Sequence, residues 1–133
     1  MIAGVGIDVV DVPRFAALLD EPGSAFEART FTAGERRDAG ERPSRDPARH
    51  LAARYAAKEA CVKALSQALA PSPLPEGLAD LTEIEVVCDD QGRPSLVLRG
   101  RVRALAERAG VAALHASLSH DGPVATAVVI AER

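Results

Sequence analysis

Two periodicities of apolar residues alternate along the chain and separate predicted strands from predicted helices. Residues 2–12 are rich in Val and Ile, which favours a strand, and Pro13 suits the first turn of a short helix over residues 13–21. From Ala48 onward apolar residues recur at spacings near 3.6 among many alanines, and this pattern predicts the longest helix of the chain. The prolines and the glycine at 71–77 end that helix.

Shorter signals define the remaining elements. Thr32 and Glu35 have the spacing of a capping box, which predicts a second short helix, and residues 40–47 predict a loop. Residues 83–98 and 112–132 each predict a β-hairpin, and residues 101–110 predict a helix that ends at a glycine. Because most strand connections are hairpins, we expect an α+β fold in which a small antiparallel sheet packs against one long helix and several short helices.

Length and composition set limits on the class of protein. The 133 residues, 47% of them hydrophobic, predict a single domain that spans residues 1–133 and folds without disulfides or a structural metal. The two cysteines therefore need not pair. The chain shows neither a signal peptide nor an apolar run that could span a bilayer, so we expect a protein of a reducing compartment, the cytoplasm, with no membrane partner.

Charge is unevenly distributed. The net charge is −3, but residues 29–63 carry nine Arg or Lys against five Asp or Glu, which gives this segment a charge of +4. Such an asymmetry indicates an anionic ligand or partner. The few aromatic residues and the lack of a known nucleic-acid-binding pattern argue against nucleic acid as that partner.

Asp8 is unusual because aspartate is depleted in strands. With a period of two, Gly4, Gly6 and Asp8 share one face of the first strand, and the glycines clear space beside the carboxylate. Glycines at such positions suggest the close approach of a backbone or a ligand. The alternative is that Asp8 pairs with an arginine or caps a turn.

Charged residues also fall on the packed side of the predicted long helix. Lys58 lies in the middle of its apolar stripe, and Glu59 and Lys63 lie along the edge of that stripe. An exposed Glu–Lys pair would explain Glu59 and Lys63 but not Lys58. A site at the edge of the core would explain all three residues.

The last hairpin contains the segment LHASLSHDG, in which His115, Ser117 and Ser119 share one strand face. A lone histidine in this setting is more often a hydrogen-bonded structural residue than a catalytic one. The chain shows no zinc-ligand spacing, nucleophile elbow or P-loop. Two carboxylates and two lysines instead suit a hard cation such as Mg²⁺ that holds phosphates, a pattern of low specificity.

Four segments together carry a family resemblance. GVGIDVVDVPRF, FTAGER, ARYAAKEACVKAL and HASLSH, in this order and in a chain of this length, closely resemble the holo-[acyl-carrier-protein] synthases, the short class of 4′-phosphopantetheinyl transferases. The resemblance covers essentially the whole chain. It implies the 4′-phosphopantetheinyl transferase fold and the Mg²⁺-dependent transfer of the phosphopantetheine arm of coenzyme A to a serine of apo acyl carrier protein, which releases adenosine 3′,5′-bisphosphate.

The resemblance also implies roles for individual residues. Asp8 and Glu59 would hold Mg²⁺ against the pyrophosphate, and Glu59 could also take the serine proton through a bound water. Lys63 would stabilise the departing phosphate. His115 would act at the site.

Coenzyme A would be bound by Arg54, Lys58, Lys63 and Ser117, with Arg54 and Lys58 gripping its phosphates. Such enzymes are commonly homotrimers with sites between protomers. Activity in this family would place the protein in fatty acid biosynthesis.

Two features depart from the family pattern. Tyr55 stands where the family often has Trp or Phe, and the first helix offers Arg14 but then Asp20 and Glu21 where many members have basic residues. Arg14 and Arg29 are therefore the residues expected to contact the carrier protein. The alternative function is a non-catalytic domain that binds coenzyme A or a nucleotide and regulates a partner.

Overall fold

The computed structural model describes residues 1–41, 46–78 and 80–133, and it has an α+β fold. Within these ranges, five strands and five α-helices follow one another in the order β1, α1–α4, β2, β3, α5, β4 and β5. The strands are β1 (Ile2–Asp11), β2 (Ile84–Cys88), β3 (Pro94–Leu98), β4 (Ala113–Asp121) and β5 (Val124–Glu132). The helices are α1 (Val12–Asp20), α2 (Phe26–Thr30), α3 (Ala33–Glu41), α4 (Pro47–Leu69) and α5 (Gly100–Arg108), and a 3₁₀ turn spans Leu81–Glu83.

The predicted α+β class with antiparallel pairing is confirmed; in the described residues the strands form two small antiparallel sheets, where the sequence analysis expected one. Strands β1, β5 and β4 form a three-stranded sheet in that order, and β2 and β3 form a separate hairpin. Hairpin connections predict which consecutive strands pair, but the β1–β5 pair joins the two ends of the chain, so local patterns do not specify it. The two predicted hairpins are both confirmed.

Helix α4 lies across the three-stranded sheet and, as predicted, is the longest helix, with 23 residues. Gly4 and Gly6 allow it to approach β1 closely, because a Cβ atom at Gly4 would lie 2.0 Å from the Ala64 carbonyl oxygen and one at Gly6 would lie 1.8 Å from that of Ala60. The two glycines thus make room for a backbone, one of the two options that their position suggested. Small side chains on α4 complete this contact; the alanines at 52, 56, 57, 60 and 64 are all fully buried.

The helix termini follow the predicted signals with small shifts. The Asp11 side chain accepts from the backbone N–H of Arg14 at 3.0 Å, so α1 begins at Val12 and Pro13 occupies its first turn. The capping box is confirmed, with reciprocal hydrogen bonds of 2.9 and 3.1 Å between Thr32 and Glu35. Helix α2, which is only five residues long, carried no periodic signal and was missed.

The predicted loop at 40–47 overlaps the ends of two helices. Gly40 and Glu41 still belong to α3, and Pro47 already begins α4 behind an Asp46 N-cap. Residues 42–45 of that predicted loop lie outside the described residues. None of the helices in the described ranges has the length and apolar character required to cross a membrane.

Candidate active site

An open cleft of about 320 Å³ lies where the end of β1 meets α1 and α4. Asp8 from β1 and Glu59 from α4, two carboxylates far apart in sequence, both line it. Arg14 and Leu18 from α1 and Tyr55 from α4 also line it. The structure therefore brings together the two residues that the sequence predicted as a pair.

Asp8 reaches the cleft from the side of β1 that faces α4. Lys63 Nζ donates to Asp8 Oδ1 at 3.3 Å and to the Ile7 carbonyl oxygen at 2.8 Å, so the lysine connects α4 to the strand. The ion-pair partner of Asp8 is thus a lysine rather than the arginine considered from the sequence. The Lys63 side chain is 54% exposed, which leaves its ammonium accessible to a ligand.

Glu59 lies one helical turn after Tyr55 on α4, and both side chains line the cleft. Burial raises the pKa of Tyr55, and the negative charges of Glu59 and Asp8 raise it further. The Tyr55 ring packs against Phe15 and Phe26, with centroid distances of 5.5 and 5.7 Å. Both carboxylates are therefore close enough to the Tyr55 hydroxyl to oppose its ionisation.

The donor set of the cleft fits a hard divalent cation. Asp8 and Glu59 offer carboxylate oxygens, and within the described residues no group of three or more His, Cys, Asp or Glu side chains is arranged around a metal position. Mg²⁺ in phosphate-transfer sites is usually held by one or two carboxylates and keeps its other positions for water and phosphate oxygens. A pair of carboxylates on an open cleft matches that requirement.

Lys58 is placed elsewhere, which corrects the prediction that it grips a coenzyme A phosphate. Its side chain is fully buried, and its ammonium forms an ion pair with Glu35 at 2.6 Å. The same ammonium donates to the carbonyl oxygens of Leu81 at 2.8 Å and Ile84 at 2.6 Å, so all three of its protons are used inside the protein. Burial lowers the pKa of Lys58, and the Glu35 carboxylate opposes that shift.

Arg54, the other residue expected to bind coenzyme A phosphates, is also buried. Its guanidinium pairs with Asp38 of α3 and donates to the His50 carbonyl oxygen at 3.5 Å. It does not line the cleft of Asp8 and Glu59. Arg54 and Lys58 nevertheless have one effect in common, because each forms an ion pair that connects α4 to α3.

His115 and Ser117 do not reach the cleft of their own chain. Both are exposed on the face of the three-stranded sheet opposite α4, and the His115 ring lies 2.9 Å from a Glu132 carboxylate oxygen. The predicted alternation along β4 is correct, since these residues do share a face. Alternation alone does not specify which of the two sheet faces lies on the side of the cleft.

The two arginines expected to contact a carrier protein are in different places. Arg14 is exposed on α1 at the edge of the Asp8–Glu59 cleft. Arg29 is exposed at the end of α2, where it lines a separate depression of about 530 Å³ together with Gly77, Asp80 and Thr82. Sequence reasoning missed that Tyr55 lines the cleft, and the signal available for it was its position four residues before Glu59 on the same helix.

Comparison with known proteins agrees with this arrangement. Residues 4–129 match the family model described as the 4′-phosphopantetheinyl transferase superfamily. The chain is 51% identical over 133 residues to the holo-[acyl-carrier-protein] synthase of Mycobacterium sp. (strain KMS), which covers 98% of this chain and 97% of the relative.

Solved structures are similar as well. One described as an ACPS–CoA complex of Chronobacterium ammoniagenes superposes with a TM-score of 0.86 at 44% identity and covers 96% of this chain and 95% of that one. A holo-[acyl-carrier-protein] synthase of Bacillus anthracis, described as a complex with CoA (3′,5′-ADP), gives a TM-score of 0.74 at 30% identity and covers 99% and 97% of the two chains. Similarity of this extent covers the strand that carries Asp8 and the helix that carries Glu59.

Proposed function

The chain belongs to the 4′-phosphopantetheinyl transferase superfamily, and we propose that it transfers the 4′-phosphopantetheine group of coenzyme A to a serine of apo acyl carrier protein with Mg²⁺ held by Asp8 and Glu59. As an enzyme of the holo-[acyl-carrier-protein] synthase type it has coenzyme A and the carrier protein as substrates. The single observation that supports the catalytic part is the cleft in which β1 and α4 each present one carboxylate.

The reaction is a displacement at phosphorus. The serine oxygen forms a bond to the phosphorus of the phosphopantetheine arm, and the phosphoanhydride bond to adenosine 3′,5′-bisphosphate breaks. Bound at the two carboxylates, Mg²⁺ would neutralise charge on the pyrophosphate oxygens. Catalysis by the protein is then mainly positioning and electrostatic stabilisation.

The side chains of the cleft have distinct tasks in this scheme. Glu59 is the carboxylate that can accept the serine proton through a water, in addition to its contact with the cation. Lys63 is exposed enough to move from Asp8 to the phosphate of the leaving group, where its ammonium acts as a point charge. Arg14, at the edge of the cleft, is suited to an acidic carrier protein, and Arg29 extends the basic surface away from it.

A homotrimer with sites between protomers is the expected assembly. In support, the sheet face opposite α4 exposes Val5, Ile7 and Val9, which are 41%, 60% and 63% accessible in the single chain. An apolar patch of this kind is typical of an interface between proteins. His115 and Ser117 lie on the same sheet face, so association through it would bring them toward a neighbouring copy.

We propose that the reaction takes place in the cytoplasm. Both cysteines, Cys61 and Cys88, are free thiols, as a reducing compartment requires. Burial raises the pKa of Cys61 to about 12, so that thiol is inert at neutral pH. Carrier-protein modification of this type belongs to fatty acid biosynthesis.

The mass of a purified apo carrier protein tests the proposal. After incubation with this protein, coenzyme A and Mg²⁺, we expect the carrier protein to gain one phosphopantetheine group and the solution to gain an equal amount of adenosine 3′,5′-bisphosphate. Glu59→Gln should abolish both. Binding of coenzyme A without any mass gain would instead support the alternative of a non-catalytic, regulatory coenzyme A-binding domain.

A further inference from the structure

Helix α5 carries positive charge that the proposed transfer does not use. Residues 99–108 contain four arginines and one glutamate, which gives this segment a charge of +3. Two of these arginines, Arg99 and Arg103, form ion pairs with nearby carboxylates at 3.0 and 3.1 Å. Arg101 and Arg108 are exposed, and neither has a carboxylate partner in the part of the chain that the structure describes.

Arg101 and Arg108 lie on one flank of α5, because seven residues are close to two helical turns. With a rise of 1.5 Å per residue, their Cα atoms are about 10 Å apart along the helix axis. Arg103 and its partner Glu107 lie on the opposite flank. The free positive charge of the helix is therefore concentrated on the flank of Arg101 and Arg108.

A pocket of about 220 Å³ is lined by both of these arginines. The rest of its lining is apolar and comes from α5 and from the segment that follows α4, as Ala104, Leu105, Pro75 and Leu78. Binding sites commonly combine an apolar lining with a few charged groups that set the orientation of the ligand. This pocket suits a partner that presents an apolar side chain next to acidic ones.

The same surface continues to Arg29 of α2. Arg101 donates to the Gly77 carbonyl oxygen at 3.4 Å, and Gly77 lines the depression that also holds Arg29. Arg29 has no carboxylate partner within residues 1–41, 46–78 and 80–133. The segment 71–80 between the two helices contributes the carboxylates of Glu76 and of Asp80, and Asp80 is engaged as the N-cap of the 3₁₀ turn.

We propose that Arg101, Arg108 and the pocket that they line form, together with Arg29, a second docking surface for the acidic carrier protein, apart from Arg14 at the edge of the cleft. This inference rests on the proposed function, because it adds a contact with the same protein substrate. Guanidinium groups bind carboxylates through charge-assisted hydrogen bonds, and the pocket takes an apolar side chain of the carrier protein beside them. Such a surface speeds the encounter with an acidic protein and orients it.

Binding of fluorescently labelled apo carrier protein, measured by anisotropy without coenzyme A, tests this surface. Arg101→Gln/Arg108→Gln removes both free guanidinium groups, and thermal melting should stay close to that of the parent because neither arginine forms an ion pair within the chain ranges described above. We expect the dissociation constant to rise about fivefold, since each exposed ion pair contributes about 1.4- to 5-fold. Ala104→Trp fills the pocket without a change of charge and should also weaken binding.

Arg93→Gln/Arg103→Gln is the matched control for net charge. It removes the same two charges, but from exposed arginines that already pair with Asp89 and Glu107. Carrier-protein binding should therefore change much less than in Arg101→Gln/Arg108→Gln. Equal weakening in the two double variants would mean that net charge alone acts, and the docking surface on α5 would be wrong.

The remaining outcomes separate this inference from the proposed function. If Arg14→Ala weakens binding while Arg101→Gln/Arg108→Gln binds like the parent, the second docking surface is wrong and the transfer stands. Unchanged binding by Ala104→Trp would show that the pocket is not part of the contact. If the carrier protein neither binds the parent nor gains phosphopantetheine, the proposed function fails and the inference fails with it.

Discussion

Replacing Lys58 by methionine should lower the free energy of unfolding by about 3 to 5 kcal/mol, the usual cost of removing one partner from a buried ion pair. Lys58 is fully buried against Glu35, and methionine keeps most of its length while it removes the ammonium. The substitution therefore isolates the charge and its hydrogen bonds. It also tests whether this lysine is structural or binds phosphate.

The magnitude follows from the groups that lose a partner. The Glu35 carboxylate would remain buried with only the backbone N–H groups of Thr32 and Val86 as donors. The carbonyl oxygens of Leu81 and Ile84 would lose the donor that now lies within 2.8 Å of each. An unsatisfied buried polar group costs about 1 to 3 kcal/mol, and these losses overlap because they share one ammonium.

Urea unfolding of the parent, of Lys58→Met and of two further variants measures the effect. Lys63→Met is the matched control, because it breaks an ion pair whose lysine is 54% exposed and should cost less than about 1 kcal/mol. The double variant Glu35→Leu/Lys58→Met should recover part of the loss, since no charge then remains buried. The recovery should be incomplete because Glu35 also accepts from Thr32 and Val86.

The opposite pattern would refute this reasoning. The free energy of unfolding of Lys58→Met could lie within about 1 kcal/mol of that of the parent while the KM for coenzyme A rises. Lys58 would then be a phosphate ligand. The ion pair with Glu35 would then contribute little to the fold.

Four other outcomes are expected. Without metal, the free energy of unfolding of Asp8→Asn should lie within about 1 kcal/mol of that of the parent, because the partner Lys63 is largely exposed. In thermal melts, added Mg²⁺ should stabilise the variant less than it stabilises the parent. A large loss of stability without metal would mean that Asp8 is structural. In steady-state assays, added salt and Arg14→Ala should each raise the KM for carrier protein more than the KM for coenzyme A. Equal effects on the two KM values would mean that Arg14 does not contact the carrier protein. A hydrogen bond from Thr32 and the charge of Arg99 hold the pKa of Glu85 below its ordinary value, so its stabilisation is present above that value and is lost as the pH falls through the lowered pKa. Urea titrations of Glu85→Gln should therefore show a loss of about 1 to 2 kcal/mol at pH 7 that shrinks in acid, whereas a loss independent of pH would exclude this linkage. Ile7→Lys, on the exposed sheet face, should convert a trimer to monomers in sedimentation equilibrium; a parent that is a fully active monomer would rule out the trimer.

Local patterns were sufficient to predict the elements that carry the carboxylates. The alternation that places Gly4, Gly6 and Asp8 on one face is confirmed, and the glycines do admit another element. The long helix is confirmed too, because its apolar period extends over six turns. Glu59 lies at the edge of the buried stripe as predicted, and therefore beside the cleft.

The errors arose where the answer depends on distant parts of the chain. The helical period correctly predicted that Lys58 faces the core, but its partner Glu35 lies 23 residues earlier and was interpreted only as half of a capping box. Alternation on β4 grouped His115 with Ser117 without specifying their direction relative to α4. Pairing of β1 with β5 and the separation of the β2–β3 hairpin are likewise tertiary properties.

The central claim is that Asp8 and Glu59 together form the metal site of the transfer, and affinity cleavage tests it most directly. With Fe²⁺ in place of Mg²⁺, ascorbate and hydrogen peroxide cut the backbone next to the bound ion, and mass spectrometry of the fragments locates the cuts. We expect cuts in β1 beside Asp8 and in α4 beside Glu59, both suppressed by excess Mg²⁺ and both lost in Asp8→Asn. Cuts confined to other parts of the chain, or cuts beside only one of the two carboxylates that Mg²⁺ does not suppress, would contradict the claim.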